Sequence, residues 1–516
     1  MKTVGDVIRV RAGEKPDKLA MIFGARRSTY KTLDERSNQV AHALLAERIG
    51  DGARIAYLGK NTDYYYELFF GAAKAGVPMV AINWRLAADE VDYILKDAQV
   101  ELLLTELDFR DTVHSCQRSC PHLERVIYLD GSDGADYEAW IADQGGNDPG
   151  LDVDPAATCL QMYTSGTTGK PKGVLLSHAC FLAQRSSEHE AGRWTAWDDD
   201  DVNLVAMPVF HIGGTGWGFV AFYHGATNVI HAVPDAGLIA EDIEKHKITR
   251  LFAVPTFLQA IVATAKALAV PLDSVKYVVY GASPIPKALL EEAVALFGCG
   301  FVQLYGMTEA TGSVTFLPPE DHDARGNPRM ASCGKALPGM EIKICDPEGS
   351  ELPAGESGEI WVKSAAIMTG YWQMPEATAE VLINGWYKSG DAGYMDEDGY
   401  LYLQARIKDM IVSGGENIYP AEIESVLYAH PGVADVAVIG VPDDRWGEAV
   451  KAIVVTEEGQ DVEADELISY ARGRIAGYKI PRSVDFTSVI PRNASGKILK
   501  YVLREPYWKD QRREIC

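Results

Sequence analysis

The chain has 516 residues, of which 47% are hydrophobic and 24% charged, a composition typical of a globular protein with a sizeable core. Its 49 Lys and Arg residues against 73 Asp and Glu residues give a net charge of −24, which disfavours a protein that binds nucleic-acid phosphate. The sequence shows no apolar leader and no run of about 18 apolar residues, so we expect neither secretion nor an integral membrane segment. Eight scattered cysteines suit a reducing compartment, and we expect a cytoplasmic protein.

Helical and extended patterns alternate from Ser28 to about Val270. The hydrophobic periodicity predicts, in order, a helix at 30–48, a strand at 54–58, a helix at 64–75, a strand at 77–82, a strand at 251–254, a helix at 255–269 and a strand at 277–280. This alternation is typical of stacked βα units with buried sheets. The fold class that follows is α/β.

The pattern changes after about Pro338. Short strands are predicted at 342–345, 358–363 and 393–403, and the Asp398-Gly399 pair within the last of these indicates a hairpin. Beyond Lys408 the sequence predicts a helix at 421–428, strands at 433–441 and 450–456, and a helix at 463–475. We therefore expect a large N-terminal part with a small β-rich subdomain, a boundary near 405–410, and a small α+β C-terminal domain.

The most informative segment runs from Tyr163 to Val174, after a predicted strand, and reads Tyr-Thr-Ser-Gly-Thr-Thr-Gly-Lys-Pro-Lys-Gly-Val. Its glycines allow main-chain N–H groups to approach a phosphate, its hydroxyls donate hydrogen bonds, and its lysines supply positive charge. A Walker P-loop needs four residues between its first glycine and Gly-Lys-Ser/Thr, whereas only two separate Gly166 from Gly169 and Pro171 replaces the hydroxyl residue. The segment predicts a phosphate loop of another kind.

This loop resembles the phosphate signature of the adenylate-forming superfamily, which includes acyl-CoA synthetases, coumarate–CoA ligases, luciferases and peptide-synthetase adenylation domains. Four further segments resemble the family's signatures in the same order: Tyr305–Glu309, Ser389–Asp391, Arg406–Asp409 and Pro491–Lys497. The resemblance covers nearly the whole chain. It implies ATP-dependent conversion of a carboxylic acid to acyl-AMP with release of pyrophosphate, followed by transfer to the thiol of coenzyme A.

The resemblance also implies roles for individual residues. Thr164 and Glu309 are expected to lie near Mg²⁺, Thr308 at the α-phosphate, and Asp391 with Arg406 at the ribose. The implied nucleotide site comprises Thr164, Ser165, Gly166, Thr167, Thr168, Gly169, Lys172, Gly281, Ala282, Ser283, Gln303, Leu304, Tyr305, Gly306, Met307, Thr308, Asp391, Arg406 and Lys497. We read Asp391, next to Gly390, as lying on an exposed turn.

Lys497 is implied to bridge the substrate carboxylate, the α-phosphate and the ribose. Because it lies near the C-terminus, far from the phosphate loop, the resemblance implies a large domain at 1–405, a hinge at 406–409 centred on Lys408, and a mobile domain at 410–516. Gly414 and Gly415 are expected to line a coenzyme A tunnel in the thioester-forming state. Some relatives place a second lysine where this chain has Val412, so the thioester step is not expected to use one.

The acyl pocket is expected at the segment 208–217, with His211 contacting the carboxylate. Gly213, Gly214 and Gly216 leave side-chain space open, and together with Phe219, Val220, Phe257 and Met307 they favour a large hydrophobic acid. Fatty, aryl-alkyl and steroid-like acids all fit. An amino-acid substrate is disfavoured because His211 stands where amino-acid-activating relatives carry an Asp for the ammonium group.

Several alternatives stay open at this point: a stand-alone enzyme that passes the acyl group to a carrier protein, a non-catalytic nucleotide or acyl-CoA binding protein, and a luciferase-type oxygenase. The intact set of Lys172, Glu309, Asp391, Arg406 and Lys497 argues against a non-catalytic protein. A homodimer is also left open, as is the identity of the acid.

Overall fold

The computed structural model describes residues 1–49, 52–130, 136–164, 171–185, 187–282, 285–323, 325, 327–413, 416–443, 445–492 and 498–508. The α-helices are α1 (Val4–Glu14), α2 (Tyr30–Glu47), α3 (Asp63–Ala75), α4 (Ala88–Asp97), α5 (Arg110–Gln117), α6 (Asp136–Ala142), α7 (His178–Ala183), α8 (Ile212–His224), α9 (Ala236–His246), α10 (Pro255–Leu268), α11 (Lys287–Phe297), α12 (Pro375–Val381), α13 (Pro420–Tyr428), α14 (Ala464–Ala471) and α15 (Lys500–Trp508).

The β-strands are β1 (Leu19–Phe23), β2 (Arg26–Thr29), β3 (Arg54–Leu58), β4 (Met79–Ile82), β5 (Val100–Thr105), β6 (Arg125–Tyr128), β7 (Thr158–Thr164), β8 (Lys172–Ser177), β9 (Val202–Val205), β10 (Thr227–Ile230), β11 (Arg250–Ala253), β12 (Tyr277–Gly281), β13 (Gly300–Met307), β14 (Gly312–Leu317), β15 (Lys335–Ala336), β16 (Glu341–Cys345), β17 (Gly358–Lys363), β18 (Gly370–Tyr371), β19 (Leu382–Ile383), β20 (Trp386–Met395), β21 (Leu401–Arg406), β22 (Ile411–Ser413), β23 (Glu416–Ile418), β24 (Val433–Asp443), β25 (Gly447–Thr456) and β26 (Ser483–Phe486).

The chain divides into two compact units. The first contains residues 1–330, 336–341 and 363–387, and the second contains residues 331–335, 342–362 and 388–516. The predicted α/β class, with a large N-terminal part and a small C-terminal part, is confirmed. The expected domain boundary at 405–410, beyond which the C-terminal domain is expected to move, stays a prediction. Among the described helices, none is long and apolar enough to cross a membrane.

The first unit is built on two largely parallel sheets. One has the strand order β15-β14-β13-β12-β11-β9-β10-β1-β2, and the other has the order β18-β8-β7-β4-β3-β5-β6. The neighbours from β13 through β12, β11, β9 and β10 to β1 are parallel, as are those from β7 through β4, β3 and β5 to β6. Antiparallel pairs occur at the edges, including β7–β8 and β13–β14. Parallel strands bury both faces, which explains the continuous apolar runs in the sequence.

The core of the first unit lies between these sheets and their helices. Helix α3 is buried along most of its length, and the middle of the helix carries four fully buried aromatic residues, Tyr65, Tyr66, Phe69 and Phe70. Thr62 caps its N-terminus by accepting a hydrogen bond from Tyr64 N, and Gly76 ends it at φ 72°.

The second unit carries most of one smaller sheet and all of another. One orders its strands β16-β17-β20-β19, with β21 beside β20, and the other orders them β23-β22-β25-β24, with β26 beside β25. The predicted hairpin around Asp398-Gly399 is confirmed as the turn between β20 and β21. The helix predicted at 463–475 is too long: α14 ends at Ala471 because Arg472 is extended and Gly473 takes φ +75°.

Candidate active site

Two predicted phosphate ligands lie opposite each other at the loop end of the β7–β8 hairpin. Thr164 and Lys172 are Cα partners in this antiparallel pair, so their side chains emerge side by side. Both side chains are half-buried. The residues predicted to hold phosphate between them, Ser165, Gly166, Thr167, Thr168 and Gly169, lie outside the described residues. The hairpin nevertheless defines the base of the loop and places a hydroxyl beside an ammonium group.

Glu309 reaches this hairpin from the other sheet. It lies in a 3₁₀ turn, Thr308–Ala310, directly after β13, and its main-chain oxygen accepts a hydrogen bond of 2.8 Å from Met368 N. The hydroxyl of Thr164 lies 3.5 Å from Glu309 Oε1 although 145 residues separate the two in sequence. The structure therefore brings the two predicted metal ligands together, with Thr308 in the same turn.

Tyr371 is a site residue that sequence reasoning missed. Its hydroxyl donates a 3.1 Å hydrogen bond to Glu309 Oε1, and the ammonium group of Lys172 lies 4.9 Å from the centre of its ring. Tyr371 is 8% exposed and belongs to β18, which pairs with β8. Only the pairing of these distant strands brings it to the site, and the sequence around it carries no local signal of chemistry.

A partly buried network supports the base of the loop. The hydroxyl of Tyr163 donates to Asp97 Oδ2 at 2.5 Å and accepts from Gln161 Nε2 at 3.0 Å. The indole N–H of Trp372 donates to Asp97 O at 2.8 Å, and the Arg54 guanidinium carbon lies 3.3 Å from the Trp372 ring centre. These contacts fix the residues next to Thr164 and Tyr371, so that both are presented by rigid strands.

The ends of β12 and β13 carry the residues of the implied nucleotide site from Gly281 to Met307. A Cβ on Gly281 would lie 2.2 Å from Leu304 O, and a Cβ on Gly306 would lie 1.8 Å from Gly312 O, so both positions require glycine for close main-chain approach. Ala282 holds φ +69°, a conformation that costs an alanine about 1–2 kcal/mol. This strained turn follows β12 immediately, and Ser283 beyond it lies outside the described residues.

The other residues of β13 that the resemblance assigns to the nucleotide site differ in burial. Tyr305 is 8% exposed, whereas Gln303, Leu304 and Met307 are half-buried. The side-chain oxygen of Gln303 accepts a 3.3 Å hydrogen bond from the hydroxyl of Tyr280, which itself lies 3.0 Å from His322 Nε2. Tyr280 thus contacts both Gln303 and His322, and neither Tyr280 nor His322 was expected next to the site.

His211 stands immediately before α8, at its N-cap position. Burial, with a smaller contribution from the neighbouring positive charge of Arg85, lowers the pKa of its imidazole to about 4, so the ring is neutral at pH 7. Its Nε2 atom is buried and has no hydrogen-bond partner in the described structure. An unpaired buried ring nitrogen is costly, which favours a ligand at this position.

The expectation that Gly213, Gly214 and Gly216 of α8 all leave side-chain space open is wrong in part. A Cβ on Gly214 would lie 2.2 Å from Pro208 O, and one on Gly213 would lie 3.1 Å from the Phe252 ring. Gly216 is different, since a Cβ there would make only ordinary contact with Ile212 at 3.7 Å. Gly214 therefore serves packing, and Gly216 is the glycine that leaves room.

Helical geometry separates two faces of α8. Phe219 was expected to line the pocket, but it is 2% exposed and packs on Phe181, so it faces the core. The half-buried residues Gly213, Gly216, Trp217 and Val220 recur at the spacing of one helix face. On that face the Trp217 indole N–H is buried without a hydrogen-bond partner in the described structure.

Asp391 and Arg406 form an ion pair within the second unit. They are Cα partners on β20 and β21, and Arg406 Nε lies 2.6 Å from Asp391 Oδ1. Asp391 is 6% exposed and lies in the strand, so the expected exposed turn is wrong: the turn conformation is confined to Gly390 at φ +69°. Pairing with the guanidinium compensates the burial of this carboxylate.

Only some of the predicted hinge and C-terminal residues lie within the described part of the chain. Lys408 lies in a 3₁₀ turn, Ile407–Asp409, and desolvation lowers the pKa of its amine. Arg504 of α15 donates to Lys408 O at 3.0 Å and pairs with Asp409 at 2.9 Å. Lys497, Gly414 and Gly415 lie outside the described residues, so their roles and the hinge at Lys408 stay predictions.

Comparisons with known proteins agree with this arrangement. The family model described as "AMP-binding enzyme" matches residues 8–372, and that described as "AMP-binding enzyme C-terminal domain" matches residues 422–497. A fatty acid–[acyl-carrier-protein] ligase of Streptomyces coeruleorubidus is 41% identical over 100% of this chain and 98% of its own length. A feruloyl-CoA synthase of an Amycolatopsis species is 38% identical over 96% of this chain and 97% of its own.

Solved structures share the whole fold. The ATP-bound crystal structure of MatB from Rhodopseudomonas palustris superposes with a TM-score of 0.87 at 30% identity, covering 98% of this chain and 99% of that one. Two family models together span most of the sequence, and the relatives align from end to end. The chain therefore belongs to the adenylate-forming superfamily of AMP-binding enzymes, alongside the acyl-CoA synthetases, and is an AMP-forming acid–thiol ligase.

Proposed function

We propose that this enzyme uses ATP to convert a hydrophobic carboxylic acid to acyl-AMP and pyrophosphate, and then transfers the acyl group to coenzyme A. The observation that carries the proposal is the meeting of Thr164, Lys172 and Glu309 at the base of the phosphate loop. A hydroxyl, a cation and a carboxylate in one place are the groups that a magnesium-bound polyphosphate requires.

The residues present fit Mg²⁺. Thr164 Oγ1 and Glu309 Oε1 are hard oxygen ligands only 3.5 Å apart, half-buried beside the loop. Magnesium is typically bound through one or two carboxylates together with substrate phosphates, and when bound it neutralises charge that develops on them. Glu309 and Thr164 would hold the ion, and Lys172 would bind phosphate oxygens directly.

The adenylation step requires charge stabilisation at the α-phosphate. Thr308 donates a hydrogen bond there, and Lys497 supplies a positive charge that lets the carboxylate approach the phosphate. Asp391 accepts hydrogen bonds from the ribose hydroxyls while Arg406 holds its carboxylate in place. In this proposal the domain 410–516 rotates about Lys408, so that Lys497 leaves after adenylation and Gly414 and Gly415 line the thiol tunnel.

The acid is proposed to lie along the half-buried face of α8, with Met307 on the opposite side. His211 is neutral, so its unpaired Nε2 accepts or donates one hydrogen bond near the carboxylate without adding charge. Gly216 leaves room beside it, and Trp217 and Val220 provide apolar surface. This lining supports a fatty or aryl-alkyl acid over a polar one.

The acceptor has a second candidate. The similarity to an acyl-carrier-protein ligase at 41% identity, against 38% for a coenzyme A ligase, supports transfer to the phosphopantetheine thiol of a carrier protein. Both acceptors end in the same thiol. Coenzyme A is retained as the main proposal because it requires no protein partner.

An acid-by-acceptor screen tests the proposal. AMP release is measured with ATP and Mg²⁺ across fatty acids of several lengths, cinnamates, steroid acids and amino acids. Each acid is tested with coenzyme A, with a phosphopantetheinylated carrier protein, and with neither. We expect AMP release and acyl-CoA with at least one hydrophobic acid. Activity with amino acids alone would contradict the proposed acid, and acyl transfer to the carrier protein alone would replace coenzyme A as the acceptor.

A further inference from the structure

Tyr371 lies between the two charges of the phosphate site. Its hydroxyl donates to Glu309 Oε1 at 3.1 Å, and its ring centre lies 4.9 Å from Lys172 Nζ. In the described structure Lys172 and Glu309 form no ion pair with each other, although both reach the base of the same loop. One side chain thus contacts the anion with its polar end and the cation with its aromatic face.

Direct pairing of Lys172 with Glu309 would weaken the site. A lysine held by a carboxylate has less charge to offer a phosphate, and a carboxylate held by a lysine is a poorer ligand for Mg²⁺. An aromatic ring attracts the ammonium group without neutralising it, and a phenol hydrogen bond orients one carboxylate oxygen while leaving the other available.

The surroundings of Tyr371 keep its ring in place. Its main-chain N–H donates to Thr378 Oγ1 at 2.9 Å, and the next residue, Trp372, donates from its main-chain N–H to Gly173 O at 2.7 Å. Gly173 follows Lys172 directly, so the strand that carries Tyr371 is fastened to the strand that carries the lysine. With 8% exposure, Tyr371 has little room to rotate away.

We infer that Tyr371 is a positioning residue of the phosphate and metal site: its hydroxyl orients Glu309 toward Mg²⁺, and its ring keeps Lys172 available for phosphate. The inference rests on the proposed function, since it presumes that magnesium nucleotide binds here. It predicts that the two ends of the side chain act separately, the hydroxyl on metal affinity and the ring on phosphate affinity.

Two substitutions separate these effects. Tyr371→Phe removes the hydroxyl and keeps the ring, whereas Tyr371→Leu removes both. Binding of α,β-methylene-ATP is measured by calorimetry as a function of Mg²⁺ concentration, together with the melting temperature. For Tyr371→Phe we expect the Mg²⁺ concentration that gives half of the full effect to rise about tenfold. This is the lower end of the range expected when a hydrogen bond to a charged group is lost. Binding of the analogue without metal should change less than twofold. Tyr371→Leu is expected to weaken metal-free binding as well.

Tyr137→Phe is the matched control. Tyr137 also donates its hydroxyl to a carboxylate, Glu67 Oε2 at 2.8 Å, and it is fully buried in α6, which carries no site residue. This variant should lose stability and keep the Mg²⁺ dependence of the unsubstituted enzyme. If it shifts that dependence as Tyr371→Phe does, the effect is a general loss of stability and the inference is wrong.

A double-substitution cycle decides whether Tyr371 acts through Glu309. In a Glu309→Gln background, Tyr371→Phe should leave the Mg²⁺ dependence unchanged, because the carboxylate it orients is gone. A further tenfold shift in that background, or an unshifted Tyr371→Phe single variant, overturns the inference. If the unsubstituted enzyme does not bind the analogue with Mg²⁺ at all, the proposed function fails first, and that outcome is distinct from both.

Discussion

Replacement of Gly306 by alanine tests the geometry that places Glu309. The new Cβ would lie 1.8 Å from Gly312 O and 2.7 Å from Ser313 Cα, both main-chain atoms that cannot rotate away. The first distance must grow to at least 3.0 Å, so β13 and β14 must separate by about 1.2 Å where the turn Thr308–Ala310 begins. The turn that carries Glu309 moves with them.

The expected effect on catalysis is large. A misplacement of about 1 Å can lower a rate by about 10²-fold, so adenylation measured by pyrophosphate exchange should fall by about that factor in Gly306→Ala. Overpacking of this kind costs about 1–3 kcal/mol in unfolding free energy, which leaves most of the protein folded. The assay is run on the folded fraction, with urea unfolding measured in parallel.

Gly13→Ala is the control for Gly306→Ala. Gly13 lies in α1, and a Cβ there would meet nothing within 4 Å. We expect unchanged exchange and a gain of about 0.5–1 kcal/mol from the helical preference of alanine. Normal exchange and normal stability in Gly306→Ala would refute the argument, because they would mean that the two strands do not approach as closely as the structure has them.

Two further predictions concern other residues of the site, and a third concerns the stability of the fold. Lys497→Ala should lower pyrophosphate exchange by at least about 10²-fold, the loss expected from one preorganised charge, and near-normal exchange would remove the residue from the adenylation step. Asp391→Asn should reduce the preference for ATP over 2′,3′-dideoxy-ATP, measured as the ratio of kcat/KM values, and an unchanged ratio would remove Asp391 from the ribose site. The third prediction concerns His178, which is 1% exposed and whose Nδ1 accepts a 3.2 Å hydrogen bond from Val4 N. Burial lowers the pKa of its imidazole to about 4, so this residue binds a proton more readily in the unfolded chain than in the folded one. The free energy of unfolding should therefore fall as the pH drops from about 6.5 to about 4, and His178 should account for up to about 3 kcal/mol of that fall. His178→Gln should make the free energy of unfolding, measured with urea, depend less on pH in this range.

Local sequence predicted the secondary structure of the large part well. The helix at 30–48 follows from hydrophobic periodicity, because its burial pattern is set by the period of the helical backbone. The strand at 54–58 is buried at every position and follows from a short, mostly apolar run instead. Local rules also explain the one overlong helix, at 463–475, since a glycine two residues beyond Ala471 takes a left-handed conformation that ends α14.

The site was predicted in parts. The resemblance indicated Thr164, Lys172 and Glu309, and it implied that Thr164 and Glu309 lie near one metal ion. Local spacing alone does not show that two sheets bring these residues together. The same limit explains the errors: the glycines of α8 look alike in sequence, and only their neighbours distinguish Gly214, which lies against Pro208 O, from Gly216, which leaves room. Which space a glycine leaves open is a property of what packs against it.

The sequence by itself determined the α/β class, the order of the elements and the chemical groups available for phosphate, because these depend on residue type and local spacing. Only the tertiary structure decided that Tyr371 contacts both Lys172 and Glu309, and that Asp391 is a buried partner of Arg406 rather than an exposed residue of a turn. The contacts of Tyr371 join strands that are far apart in the chain, and strand pairing over such separations is fixed by the packing of whole sheets. Asp391 and Arg406 face each other across a local hairpin, but the burial of Asp391 is again decided by packing.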